Sequence, residues 1–393
     1  MEKSFEVAII GASLAGASLA LHLQRAGISC LLTDKHTFPR RKACGEALSI
    51  LGIRELEELG LGSELRALPH APFAGFHFLE KGKARAELLP LPQGWGHGIG
   101  VQRFHLDQLL LNKFRSARPG LFFSGKQELI KERADGSFII HTEKGEFKSR
   151  YLALATGSSS RLPLVLGVPV RERSRARSAL CLALRIDPLK LPPVVTLYLD
   201  GNLQACCTPV DKEQLNISIL ASSGRCRELG KSEFPYLLQN ILRALELEAE
   251  LCEEPLAVSD IGCFHRSALT RNIFVVGDAL DQLDPIGRMG MAQALISARI
   301  TGKTLHKMLR GTEAEAMAAR TGHRRNLRSA LRMLNGYTRL SYLCLANRLS
   351  QPFLGRFKAG ALAREMLLKM HDLPRSSSTS MISSMLVNLA GRL

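Results

Sequence analysis

The chain has 393 residues, 46% apolar and 23% charged, with a formal net charge of +17. That length can bury two cores, and the balance excludes a disordered or fibrous chain. An apolar strand starts within five residues of Met1, and no uninterrupted apolar run reaches the ~18 to 20 residues of a membrane span. Neither a signal peptide nor a spanning helix is expected, and the expected location is cytoplasmic.

The first 34 residues read as one β-α-β unit. An apolar run over 7–10 enters a tight turn at Gly11, a small-residue helix covers about 13–26, and a second strand over 29–33 ends at Asp34. Gly11 permits the turn and Gly16 lets helix and strand approach closely. The helix start at Ser13, Leu14 and Ala15 offers unpaired N–H groups to a pyrophosphate. Asp34, with Lys35 beside it, stands where a carboxylate accepts hydrogen bonds from both ribose hydroxyls. Ser13 replaces the middle glycine of the fingerprint, which predicts a less free backbone approach to the phosphates. This unit alone fits NAD and FAD equally.

A basic loop (Arg40, Arg41, Lys42) leads to Cys44, Gly45 and Glu46, and a helix runs to about residue 59 with Ile50, Ile53 and Leu56 on one face. Short strands over 72–91 follow, then a glycine-dense run over 94–100, read as a flexible connection with Trp95 and His97 near the cavity. A helix over about 104–116 precedes strands at 121–124, 138–142 and 151–155. Between 177 and 263 the runs ALCLALRI, VVTLYLD, LQACCTP and LNISILA alternate with turn signals, and one helix is expected near 234–247. Their inner apolar positions predict a greasy pocket. A buried strand then ends in Gly277 and Asp278, and a loop from Pro285 opens a helix at Gly290 and Met291.

These stretches resemble the p-hydroxybenzoate hydroxylase and geranylgeranyl reductase superfamily of FAD-dependent, group A flavin monooxygenase-like oxidoreductases. The residues that carry the likeness are the Gly11 fingerprint, Lys42-Ala43-Cys44-Gly45-Glu46, the Val101-Gln102-Arg103 helix start with Leu106 and Asp107, and Gly277-Asp278 with the Pro285–Met291 loop. The resemblance implies an α/β fold with an α+β second domain. A Rossmann-like FAD-binding domain would use 1–75, 100–176 and 264–312, and a mostly antiparallel β-sheet substrate domain 76–99 and 177–263. C-terminal helices over 313–373 and a flexible tail over 374–393 would follow.

It further implies FAD contacts from Gly11, Ser13, Leu14, Ala15, Gly16, Asp34, Lys35, Arg41, Cys44, Gly45 and Arg103. Thr156, Gly157, Gly277, Asp278, Pro285, Gly290 and Met291 complete the set. NADPH or NADH would be the electron donor. Two departures stand out: Thr156 occupies the place of an Asp tied to FAD and NAD(P)H, and Arg288 replaces a loop glycine. Facing the flavin, Arg288 would favour its anionic reduced form; facing solvent, it would be an ordinary surface cation.

The nine cysteines show no metal spacing and read as reduced, buried residues. Cys44 differs, because its basic loop favours the thiolate, although simple packing beneath the ring is the plainer explanation. Cys44 and Arg288 are thus the catalytic candidates.

Residues 301–393 hold sixteen Lys/Arg against four Asp/Glu, with Arg324, Arg328 and Arg332 at helical spacing beside Leu327, Leu331 and Leu334. That helix either packs on the catalytic domains or lies on an anionic membrane. Nucleic acid fits poorly, since aromatics are few. Three functions compete: a monooxygenase acting on an apolar aromatic or polyketide-like molecule, a reductase of isoprenoid or lipid double bonds, and a flavin-binding protein without turnover. A halogenase would show W-x-W-x-I-P, and Trp95 is the only Trp.

Overall fold

The computed structural model describes residues 3–80, 87–90, 98–117, 120–125, 127–173, 177–190, 193–200, 203–222, 230–261, 264–282 and 285–346. Trp95, His97, the tail over 374–393 and the helical region expected beyond residue 346 lie outside the described residues.

Five parallel strands form the centre of the first sheet, in the order Ile273–Val275, Gly145–Leu154, Lys3–Ile10, Cys30–Asp34 and Gly120–Ser124. Buried strands of this kind alternate between two cores. Val7, Ile9 and Leu32 face the helices Leu14–Arg25, Arg103–Arg115 and Gly290–Arg310. Ala8, Ile10, Leu152 and Leu154 face the opposite side. There an antiparallel meander, Gln127–Glu132, Phe138–Thr142 and Gly145–Leu154, meets the long helix Glu313–Ala346.

That helix spends its apolar line on the core. Leu327, Leu331 and Leu334 are buried, and His323 bonds Thr304 Oγ1 through Nδ1 at 2.9 Å while Arg324, Arg325, Arg328 and Arg332 remain exposed. Among the described residues no helix is long and apolar enough to cross a membrane.

The second sheet runs Ala249–Leu251, Arg177–Ile186, Gln214–Ser222, Leu203–Pro209, Val195–Asp200, Gly75–Glu80 and Glu87–Pro90, with Leu256–Ile261 also on Arg177–Ile186. Only the contact between Val195–Asp200 and Gly75–Glu80 is parallel. Leu182, Leu184, Leu215, Ile217 and Ile219 pack beneath the helix Gly230–Ala244. The other face carries Cys181, Ser218 and Cys206 in one register row, and Asn216 and Thr208 in the next. The greasier face therefore supports a helix, and the opposite face mixes small and polar residues with Val195 and Leu197, which pack on Phe73.

The two sheets meet through a third, small one. Gly98–Gly100 pairs with Ala47–Leu48 and Ala71–Phe73, so this part of the glycine-dense run is buried strand where a flexible connection was expected. A Cβ at Gly98 would enter the Phe73 ring, and one at Gly100 would enter the Pro209 carbonyl. Close approach, not mobility, requires these glycines. Gly100→Ala is expected to destabilise the fold by about 1–3 kcal/mol, read as a lower urea midpoint.

Candidate cofactor and active site

Four loops converge where the parallel strands end, the side on which open α/β sheets bind ligands. Gly11 has φ +106°, and a Cβ there would overlap the Ala155 carbonyl. A Cβ at Gly16 would overlap the Gly11 carbonyl, so the helix packs directly on the turn. Asp34 is 5% exposed, and its oxygens accept N–H bonds from Ala12 (2.8 Å) and His36 (2.9 Å). A carboxylate has about four acceptor sites, so capacity for ribose hydroxyls remains. Neither Leu14–Arg25 nor Gly290–Arg310 has a side-chain cap bond or an acidic residue in its first turn. Both helix starts can therefore offer N–H groups to an anion.

Ser13 has φ −77° and ψ −171°, which needs no glycine. Its hydroxyl donates to Asp107 Oδ2 (2.7 Å) and accepts from Arg103 Nη2 (3.1 Å). Arg103 and Asp107, 5% and 0% exposed, form an ion pair at 3.0 Å. Arg103 Nη1 lies 3.9 Å from Cys44 Sγ, and Arg103 N–H donates to Glu46 Oε1 at 3.0 Å. Burial pushes the Glu46 carboxyl up to about 7, against the opposing pull of the Arg103 N–H and guanidinium. Arg103 Nε and Thr156 Oγ1 are buried with no protein partner among the described residues. Such orphaned groups fit a bound dinucleotide.

The second contact region has the expected elements. Gly277 has φ +63°, and a Cβ there would stand 2.7 Å from that of Ala15. Its N–H donates to Ser297 Oγ. Asp278 Oδ2 lies 3.6 Å from Lys42 Nζ, which ties the cysteine loop to the Gly-Asp turn. Pro285 begins a short 3-10 turn, Gly290 opens the following helix, and Met291 is buried. Arg288 adopts φ +54°, its side chain is half-buried, and its Nε is buried. Among the described residues that buried Nε has no hydrogen-bond partner, so the side chain is not wholly turned to solvent.

Other expected contacts are less engaged. Lys35 is exposed beyond Asp34, Gly157 has φ +76°, and a Cβ at Gly45 would meet open space. Arg41 is turned to Glu253 (2.5 Å) and the Glu254 carbonyl (2.9 Å), bridging to the second sheet.

Between the cysteine loop and that sheet lies a cleft lined by Cys44, Glu46, Gln102, Phe104, Cys181 and Asn216, among others. Asn216 Nδ2 donates to the Cys44 carbonyl at 2.7 Å, and Gln102 Nε2 donates to Gln214 Oε1 at 2.5 Å. These bonds hold the sheet over the loop.

The family described as FAD binding domain matches residues 4–333. The chain belongs to this family. Its match to menaquinone reductase of Mycobacterium tuberculosis is 24% identical over 320 residues, covering 78% of this chain and 77% of the relative. The solved structure of p-nitrophenol 4-monooxygenase PnpA from Pseudomonas putida superposes with TM-score 0.77 at 13% identity, covering 94% of this chain and 97% of that one. P. aeruginosa PqsL in complex with 2-aminobenzoylacetate gives 0.74 at 20%, covering 91% and 100%. FAD is thus the cofactor of this fold, and the chain is an FAD-dependent oxidoreductase.

Asp107 and Glu46 stood within the motifs that carry the likeness but were given no role of their own. The i,i+4 spacing of Arg103 and Asp107 was visible as a pairing signal. Asn216 and Cys181 carry no local signal, since only strand register brings them to the cleft. Replacing Arg103 by Gln strands Asp107 in the core. The expected loss is about 3–5 kcal/mol of stability, seen in urea unfolding, together with weaker retention of FAD on gel filtration.

Proposed function

We propose that this protein is a flavin monooxygenase: NADPH or NADH reduces its FAD, and oxygen is inserted into a small aromatic or polyketide-like molecule held in the cleft. The carrying observation is the placement of that cleft, between the cofactor-binding loops and a sheet docked over them. A part-enclosed site limits water, and bound FAD supplies the redox and oxygen chemistry. The chain's own contribution is to bind, orient and manage protons. Asn216 and Gln102, with Phe104, Cys181 and Leu182, favour a substrate with an apolar body and polar substituents. Likeness to PnpA and PqsL supports the oxygen-inserting reading.

A second reading is reduction of an isoprenoid or lipid double bond. It is favoured by the match to menaquinone reductase and by the Cys44 thiol held beside Arg103. Turnover under isotopically labelled O2 separates the two. Labelled oxygen in the product, with NAD(P)H consumed, is the expected result; gain of two hydrogens without label replaces the first reading with the second. FAD that neither donor reduces fails both.

Contact with an anionic membrane is proposed as electrostatic only, through Arg324, Arg325, Arg328 and Arg332, because the neighbouring leucines are buried. Sedimentation with phosphatidylglycerol vesicles is expected to be lost at high salt and absent with phosphatidylcholine. Reversing these arginines to Glu should reduce it more than reversing four exposed cations elsewhere.

A further inference from the structure

Glu46 lines the cleft, yet nothing above gives it work. Its backbone has φ +57°, the left-handed region that side chains rarely occupy, so the fold holds it there against local preference. Three contacts keep it in place: Val101 N–H donates to its carbonyl, its own N–H donates to Cys44 Sγ, and Oε1 accepts the Arg103 N–H. The carboxyl is thereby fixed between the cysteine loop, the Arg103 helix start and the Arg177–Ile186 strand, at the wall of the cleft.

Both candidate reactions consume a proton in addition to the hydride. Oxygen insertion follows R–H + NAD(P)H + H⁺ + O2 → R–OH + NAD(P)⁺ + H2O, and the extra proton leaves in the water. Double-bond reduction follows C=C + NAD(P)H + H⁺ → H–C–C–H + NAD(P)⁺, and the extra proton becomes a C–H hydrogen. In a part-enclosed cleft an acid on the wall can supply this proton at the reacting atoms.

We propose that Glu46 is the catalytic acid of this site, delivering the proton that turnover consumes; the assignment rests on the oxidoreductase reading above. The Glu46 O–H bond breaks, its electron pair stays on the carboxylate, and solvent at the cleft mouth returns a proton between turnovers. The charged and titratable groups around it are Arg103, Arg41 and Lys42, Cys44, Cys181 and Glu253. The arginines favour the carboxylate, and burial outweighs them, so that a large fraction of the acid survives at neutral pH.

The test compares wild type with Glu46→Gln and Glu46→Asp as FAD-loaded proteins, and titrates the wild-type apoprotein separately. Wild-type turnover is expected to fall about tenfold per pH unit above about 7. Glu46→Gln should keep its flavin spectrum, lose about 10²-fold or more in kcat and show no such limb. Glu46→Asp should recover part of the rate with a displaced limb. In the apoprotein, the infrared carboxyl band that Glu46→Gln removes should titrate near 7.

A Glu46→Gln variant within threefold of wild type with the same limb overturns the proposal, as does a Glu46 band titrating at an ordinary carboxyl value. Should Glu46→Gln fail to fold, Glu46→Asp and the wild-type infrared titration decide the question. Wild-type protein that binds FAD but turns over no substrate refutes the oxidoreductase reading instead, and the infrared titration still reads Glu46 independently.

Discussion

A single buried guanidinium ties the cofactor site together. Arg103 bonds Asp107 on its own helix, Ser13 at the fingerprint turn and, at longer range, Cys44 on the basic loop, while its backbone N–H fixes Glu46. Two segments, each more than fifty residues from Arg103 in the chain, thus share its charge. Desolvating a guanidinium is expensive, and a carboxylate at 3.0 Å with further hydrogen bonds offsets that cost only when the geometry is kept. The arrangement therefore penalises misplacement of any one segment. Ser13 is informative here, because the hydroxyl that breaks the glycine fingerprint completes the network in the structure.

Much of the cofactor half was legible because its signals are local. A buried parallel strand reads as a short apolar run, Gly11 and Gly16 mark close approaches, and Asp34 follows at the end of the next strand. The same holds for Gly277, whose positive φ belongs to a turn of fixed shape. Strands Gln127–Glu132, Ala249–Leu251 and Leu256–Ile261 were not legible. They are short or charged, and their pairing partners, not their own composition, make them strands. Glu46 was hidden for a similar reason: its role depends on a left-handed backbone and on neighbours from three other parts of the fold.

The second sheet shows how alternation can be read correctly and assigned to the wrong side. Leu182, Leu184, Leu215, Ile217 and Ile219 are indeed one apolar face, but Leu237 and Ile241 of the covering helix occupy it. A strand has two faces, and periodicity identifies the greasy one without saying what covers it. Here the cleft receives Cys181, Ala183 and Asn216 from the opposite face, small side chains with one amide among them. That choice suits a pocket that must orient a substrate as well as exclude water, since polar groups fix direction and apolar area alone does not.

Arg288 shows the same principle at the level of one residue. The position calls for a left-handed backbone, φ +54°, where glycine would rest without strain and an L side chain costs roughly 1–2 kcal/mol. The surrounding turn enforces it: Pro285 accepts the Arg288 N–H, and Gly287 lies so close to Thr338 of the C-terminal helix that no side chain would fit. The chain thus accepts strain to place a half-buried cation on this loop. Burial of its Nε without a protein partner among the described residues leaves that N–H unsatisfied by the chain itself. The shape of that loop is set in turn by packing that begins at Thr338 of the long helix.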